Sequence, residues 1–120
     1  MLKYLLAAGF LLTPQVAKAD MPDVSGHDLL LGCPYFLNGK YRNIDEAVRG
    51  ATCSALVAGI AYVWTADICK PQGTTIGQQV RIVLKYLSDN PKELHKIAQE
   101  VIFEALKQAW PCENSLKSSK

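Results

Sequence analysis

The sequence has no Cys-x-x-Cys pair and only two histidines, and neither His27 nor His95 stands at ligand spacing to a cysteine. That excludes the common zinc modules and argues against a dithiol redox centre. Charge of one sign is not in excess either. Two of the 13 basic side chains, Lys3 and Lys18, lie in the N-terminal leader discussed below, and the rest equal the 11 acidic ones. No nucleic-acid partner and no anionic-membrane partner follows from such a balance. Strand alternation, internal repeats and low-complexity segments are also missing. No apolar run beyond the leader is long enough to span a bilayer.

Catalytic patterns are equally scarce. His27 falls in the first turn of one expected helix and His95 one turn into another, where surface or boundary histidines are common. Asp45-Glu46 and the Glu100/Glu104 pair read as helix-start electrostatics and a solvated face. Gly73-Thr74-Thr75-Ile76-Gly77 precedes a helix but lacks the Gly-Lys-Ser/Thr ending of a phosphate loop, so it reads as a helix start. No catalytic residue, no metal and no cofactor is expected, and the chain reads as a binding module and not an enzyme.

What is present begins with the leader. Lys3 gives a positive start, Tyr4 to Leu12 an apolar run, Pro14 a break and Ala17-Lys18-Ala19 a small-x-small cleavage pattern. Residues 1–19 therefore read as a secretory signal cut before Asp20, leaving residues 20–120 as one soluble exported domain. All four cysteines, Cys33, Cys53, Cys69 and Cys112, lie in that domain. An even count in an exported chain argues for two disulfides.

Four helix starts are legible as capping pairs, Ser25 with Asp28, Asn43 with Glu46, Thr75 with Gln78 and Asn90 with Glu93. Pro91 strengthens the last. The first helix is expected from Ser25 to about Cys33, with Pro34 to Arg42 as a loop. The second is apolar on nearly all sides from Ala51 to Trp64, as in a central helix or an oligomer interface. The third, about Ile76 to Ser88, turns Ile76, Val80, Val83, Leu84 and Leu87 inward and Gln79, Arg81 and Lys85 outward. The fourth carries a stripe of Leu94, Ile97, Ala98, Val101, Ile102, Ala105, Leu106 and Ala109 and ends before Pro111. The fold class is thus all-α, a small four-helix domain. Helices two, three and four running up, down and up would bring Cys69 beside Cys112, which leaves Cys33 for Cys53.

Several spaced residues resemble a known family. They are Cys69-x-Pro71-x-Gly73-x-Thr75-x-Gly77-Gln78, Tyr86-Leu87, Pro91-x-x-Leu94-His95-x-x-Ala98 and Ala105-Leu106-x-x-Ala109-Trp110-Pro111-Cys112. In this stretch the chain resembles the Tai-type immunity proteins that neutralise peptidoglycan amidase toxins of the type VI secretion system. The family's upstream Cys-x-Gly-Tyr run is replaced here by Cys53-Ser54-Ala55-Leu56. The resemblance implies a periplasmic protein whose partner is a cognate amidase effector of the papain-like Cys/His kind, and a homodimer. A small helical periplasmic chaperone of the acid-stress type is the alternative, although the near-neutral charge offers no acid switch beyond the carboxylates.

A groove enzyme can be stopped by a narrow element ordered in advance. The turn Ser88-Asp89-Asn90, flanked by Lys85 and supported by Gln79 and Arg81, is the expected toxin-binding wedge. The loop Lys70 to Thr74 is the other candidate.

Overall fold

The computed structural model describes residues 23–113. The signal reading for residues 1–19 lies outside the described residues. Among residues 23–113 four α-helices form, α1 (Gly26–Asn38), α2 (Ile44–Val63), α3 (Ile76–Asp89) and α4 (Ala98–Ala109), with a 3-10 turn at Pro91–Glu93. Among the described residues the only β-type pairings are two isolated bridges, so the all-α expectation holds. No helix in this region is long and apolar enough to cross a membrane.

Each helix contributes a short ladder to one core: Leu29 and Cys33 from α1, Cys53, Val57 and Ala61 from α2, Val80, Val83 and Leu87 from α3, and Val101, Ile102, Ala105 and Leu106 from α4. Burying a Leu, Ile or Val side chain contributes about 1.5–3 kcal/mol. The core of so small a domain is correspondingly modest, and two disulfides reinforce it, Cys33–Cys53 and Cys69–Cys112. The pairing is the one the helix layout implied. The ends of α2 and α4 do meet: Ile68 bridges Pro111, and the Cys69 amide donates to the Trp110 carbonyl at 2.9 Å.

Three element readings need correction. The first concerns α1, which does not stop at Cys33 but runs through Pro34 to Asn38, closing on Gly39 in the left-handed conformation at φ 65°. Proline removes one helical hydrogen bond. Pro34 faces solvent, however, and continuing the helix packs Phe36 and Leu37 against the core. Tertiary burial outweighs the local penalty.

The second concerns α3, whose inward face is rotated relative to expectation. Ile76 is 41% exposed, whereas Gln79 is 2% exposed and sits with Val80, Val83 and Leu87 on the buried side. Gln79 falls one turn before Val83, so the helix that buries Val80 and Val83 carries Gln79 in with them.

The third concerns α4, which begins at Ala98, eight residues after the expected cap. The Asn90–Glu93 capping box is absent. Asn90 instead closes α3, its Nδ2 donating to the Tyr86 carbonyl at 2.9 Å. The cause is long-range. The carbonyls of Leu94 and Lys96, which a continuous helix would use internally, accept from the His27 and Gly26 amides at 2.9 Å each, and the Ala98 amide donates to Val24 at 2.7 Å. The start of α1 thus takes its backbone partners from the segment before α4. Ile97 is left 42% exposed, and Ala109 is exposed as well.

Candidate interaction surface

The caps that fix the helix ends also fix what the surface presents. Ser25 and Thr75 form complete capping boxes with Asp28 and Gln78. Asn43 accepts from the Glu46 amide at 2.9 Å, but the Glu46 carboxylate turns elsewhere. It accepts from the Arg42 backbone amide at 2.8 Å and from the Arg42 guanidinium at 3.0 and 2.7 Å. These bonds hold the Glu46 carboxyl below the usual carboxylate range and fasten the loop between α1 and α2 to the first turn of α2.

The expected wedge is not a free loop: Ser88 and Asp89 form the last turn of α3, and Asn90, which caps it, is half-buried. Ser88 and Asp89 are exposed at the end of α3. Asp89 pairs with Lys85 one turn back at 2.8 Å, both side chains open to solvent. Arg81 is exposed on the same helix. Gln79 does not join them, because it is buried. The second loop is tied down as well: Pro71 accepts from the Thr74 amide and hydroxyl, Gly73 takes φ 87°, and Cys69 links its base to Cys112.

The surface has two further features. A cleft of about 360 Å³ is lined by Tyr86 of α3, by Glu93 and Lys96 of the connection, and by Glu100, Phe103 and Glu104 of α4 among others. Lys96 pairs with Glu93 at 2.6 Å, and its ammonium depresses the Glu93 carboxyl while its own value rises. Burial, with Glu93 and Glu104 nearby, pushes the Tyr86 phenol up. Phe103, on the wall of the cleft, also meets Trp64 edge-on at 5.3 Å between ring centroids, and the Lys107 ammonium sits 5.4 Å from the Phe103 centroid. The sequence carried no signal for this pairing, since Trp64 ends one helix and Phe103 lies at the margin of the stripe of another.

Every cysteine is in a disulfide, and among the described residues no three His, Cys, Asp or Glu side chains converge as a metal site would require. His27 and His95 are both exposed.

Compared with known families, residues 25–112 match the model of the Rap1a immunity proteins. The matched stretch opens on the Ser25 cap and closes on Cys112, so it takes in all four helices and both disulfides. No curated protein matches the chain.

Proposed function

The chain belongs to the Rap1a immunity protein family, and on that premise we propose that it works in the periplasm as the antidote to a cognate toxin delivered by type VI secretion. The toxin in this reading is a peptidoglycan amidase, and the protein stops it by seating the Ser88–Asn90 turn in the active-site groove. The carrying observation is the family match across the whole disulfide-bonded helical unit. The two disulfides support an oxidising compartment.

The turn suits the role for a physical reason. Ser88 and Asp89 are the last two residues of α3 rather than a loop, Asn90 closes the helix with its amide and Nδ2 both donating to the Tyr86 carbonyl, and little ordering remains to be done on binding. Asp89 gives it a carboxylate that could leave Lys85 for the imidazolium of a Cys/His pair. Arg81 and Lys85 flank it on the same helix.

The test is protection. Cells that direct the candidate amidase to their periplasm should lyse, and co-expression of this chain with its leader should rescue them, whereas a leaderless form should not. In vitro, the mature protein should block peptidoglycan cleavage at a fixed stoichiometry. Failure to inhibit, combined with suppression of client aggregation only at acid pH, would favour the chaperone instead.

A further inference from the structure

Two carboxylates on α4 carry charge that no ion pair takes up. Glu100 and Glu104 stand one turn apart, both exposed, and both line the cleft. Like charges four residues apart destabilise a helix. Two lysines stand at pairing spacing, Lys96 four residues before Glu100 and Lys107 three after Glu104. Neither is used in that way. Lys96 pairs with Glu93 at 2.6 Å, and the Lys107 ammonium lies over the Phe103 ring. Among the described residues no salt bridge involves Glu100 or Glu104.

The walls beside these carboxylates are aromatic. Phe103 comes from α4 and Tyr86 from α3, and three carboxylates, Glu93, Glu100 and Glu104, face one ammonium, that of Lys96. Burial first, and then Glu93 and Glu104, push the Tyr86 phenol up, so the negative field reaches across the cleft. A smaller notch of about 200 Å³ adjoins it, lined by Trp64, Gln99, Glu100 and Phe103. The cleft and the notch share Glu100 and Phe103. Trp64 is left 46% exposed there.

We propose, resting on the toxin reading above, that this cleft receives an arginine side chain of the toxin, its guanidinium held by Glu100 and Glu104 beside the Phe103 and Tyr86 rings, while an apolar residue next to that arginine fills the notch against Trp64. Charge complementarity selects a cation. Arginine fits better than lysine because its planar guanidinium stacks on aromatic rings, forks onto carboxylates and is weakly hydrated. At about 360 Å³ the cleft lies at the lower end of the roughly 300–1,000 Å³ of ligand sites, room for one long side chain. A protein surface fits better than a free cation because only the former also covers the Trp64 notch, and a tryptophan in such a position is a common anchor of protein interfaces.

Titration calorimetry of the mature protein with the amidase, together with an inhibition assay, decides the matter. Glu100→Gln combined with Glu104→Gln keeps the shape of both side chains and removes both charges. It should raise Kd by about thirtyfold or more, as loss of one side of a desolvated charge pair does. The helical circular dichroism should be retained, because both residues are exposed. Asp45→Asn removes a negative charge from the first turn of α2, about 28 Å along that helix from Trp64, and should leave Kd within about twofold, since salt screens charge at that range. Raising the salt concentration should weaken the wild-type complex more than that of the double variant. Wild-type protein that inhibits the amidase while the double variant binds it equally well would overturn the cleft and leave the proposed function standing. A loss of affinity in Asp45→Asn as large as that in the double variant would also overturn the cleft, by reducing the effect to net charge. Wild-type protein that does not bind the amidase would overturn both.

Discussion

The amide of His27 donates to the carbonyl of Leu94 at 2.9 Å, and the neighbouring Gly26 comes so near that a Cβ on it would lie 3.1 Å from the same oxygen and 3.0 Å from Leu87 Cδ2. The start of α1 is therefore set into the break before α4 with no space to spare. Gly26→Ala should lower unfolding stability by about 1–3 kcal/mol, the usual cost of overpacking, because the Leu94 carbonyl is backbone and cannot swing aside. Urea unfolding at a fixed protein concentration measures it. A midpoint equal to wild type would show that the close fit is not maintained in solution.

The two disulfides span sequence separations of 20 and 43 residues in loops that do not overlap. In the loop-closure picture, replacing Cys33 and Cys53 by alanine should cost about 3 kcal/mol, and replacing Cys69 and Cys112 about 4 kcal/mol. The costs should add, because neither loop contains the other. Thermal melts of both double variants and of the combined variant check size and additivity.

Acid should loosen the loop between α1 and α2. The Arg42 guanidinium and amide hold the folded-state Glu46 carboxyl below its unfolded value. A depressed carboxylate contributes stability that is present above the unfolded pKa and lost as pH falls through the folded one. Asp28, held down by the Ser25 amide and hydroxyl, and Glu93, held down by Lys96, act in the same direction. Stability should thus be flat near neutrality and decline below about pH 4.5, where glutamate and aspartate titrate. In Glu46→Gln the decline should be shallower, read as unfolding midpoint against pH.

On the reading proposed above, Asp89→Lys should weaken toxin binding tenfold or more while the melting temperature stays within a few degrees. The introduced ammonium would face Lys85 four residues back, a cost of a few tenths of a kcal/mol, but a cation suits a helix C-terminus and offsets much of that. Titration calorimetry with the amidase gives the first quantity and circular dichroism the second. Undiminished affinity would move the contact to the Lys70–Thr74 loop or to the Trp64–Phe103 ridge.

Local chemistry made most of the fold legible. The Ser25 and Thr75 boxes need only residues three positions apart, so they read directly, and the disulfide pairing followed from helix order. Asn90 looked the same in sequence and behaved otherwise, because the carbonyls that would extend its helix are taken by amides some 70 residues earlier in the chain. Pro34 misled for a related reason, since the gain from burying Phe36 and Leu37 is tertiary. At the candidate site, Ser88, Asp89, Lys85 and Arg81 are on the surface as expected, while Gln79 is not. One helix position decides between a solvent contact and the core, and hydrophobic spacing alone places a polar residue at the edge of the stripe poorly.

The Cys69–Cys112 bridge turns α3, the Pro91 turn and α4 into a covalently closed ring. A protease that cut at the exposed end of α3, between Ser88 and Asp89, would break the chain inside that ring. A single cut there opens the ring without releasing a fragment. Both halves stay attached through sulfur, with the Cys69–Trp110 hydrogen bond still bracing the junction, and the mass on a non-reducing gel is unchanged. Only a reductant reveals the scission, as two pieces where there was one.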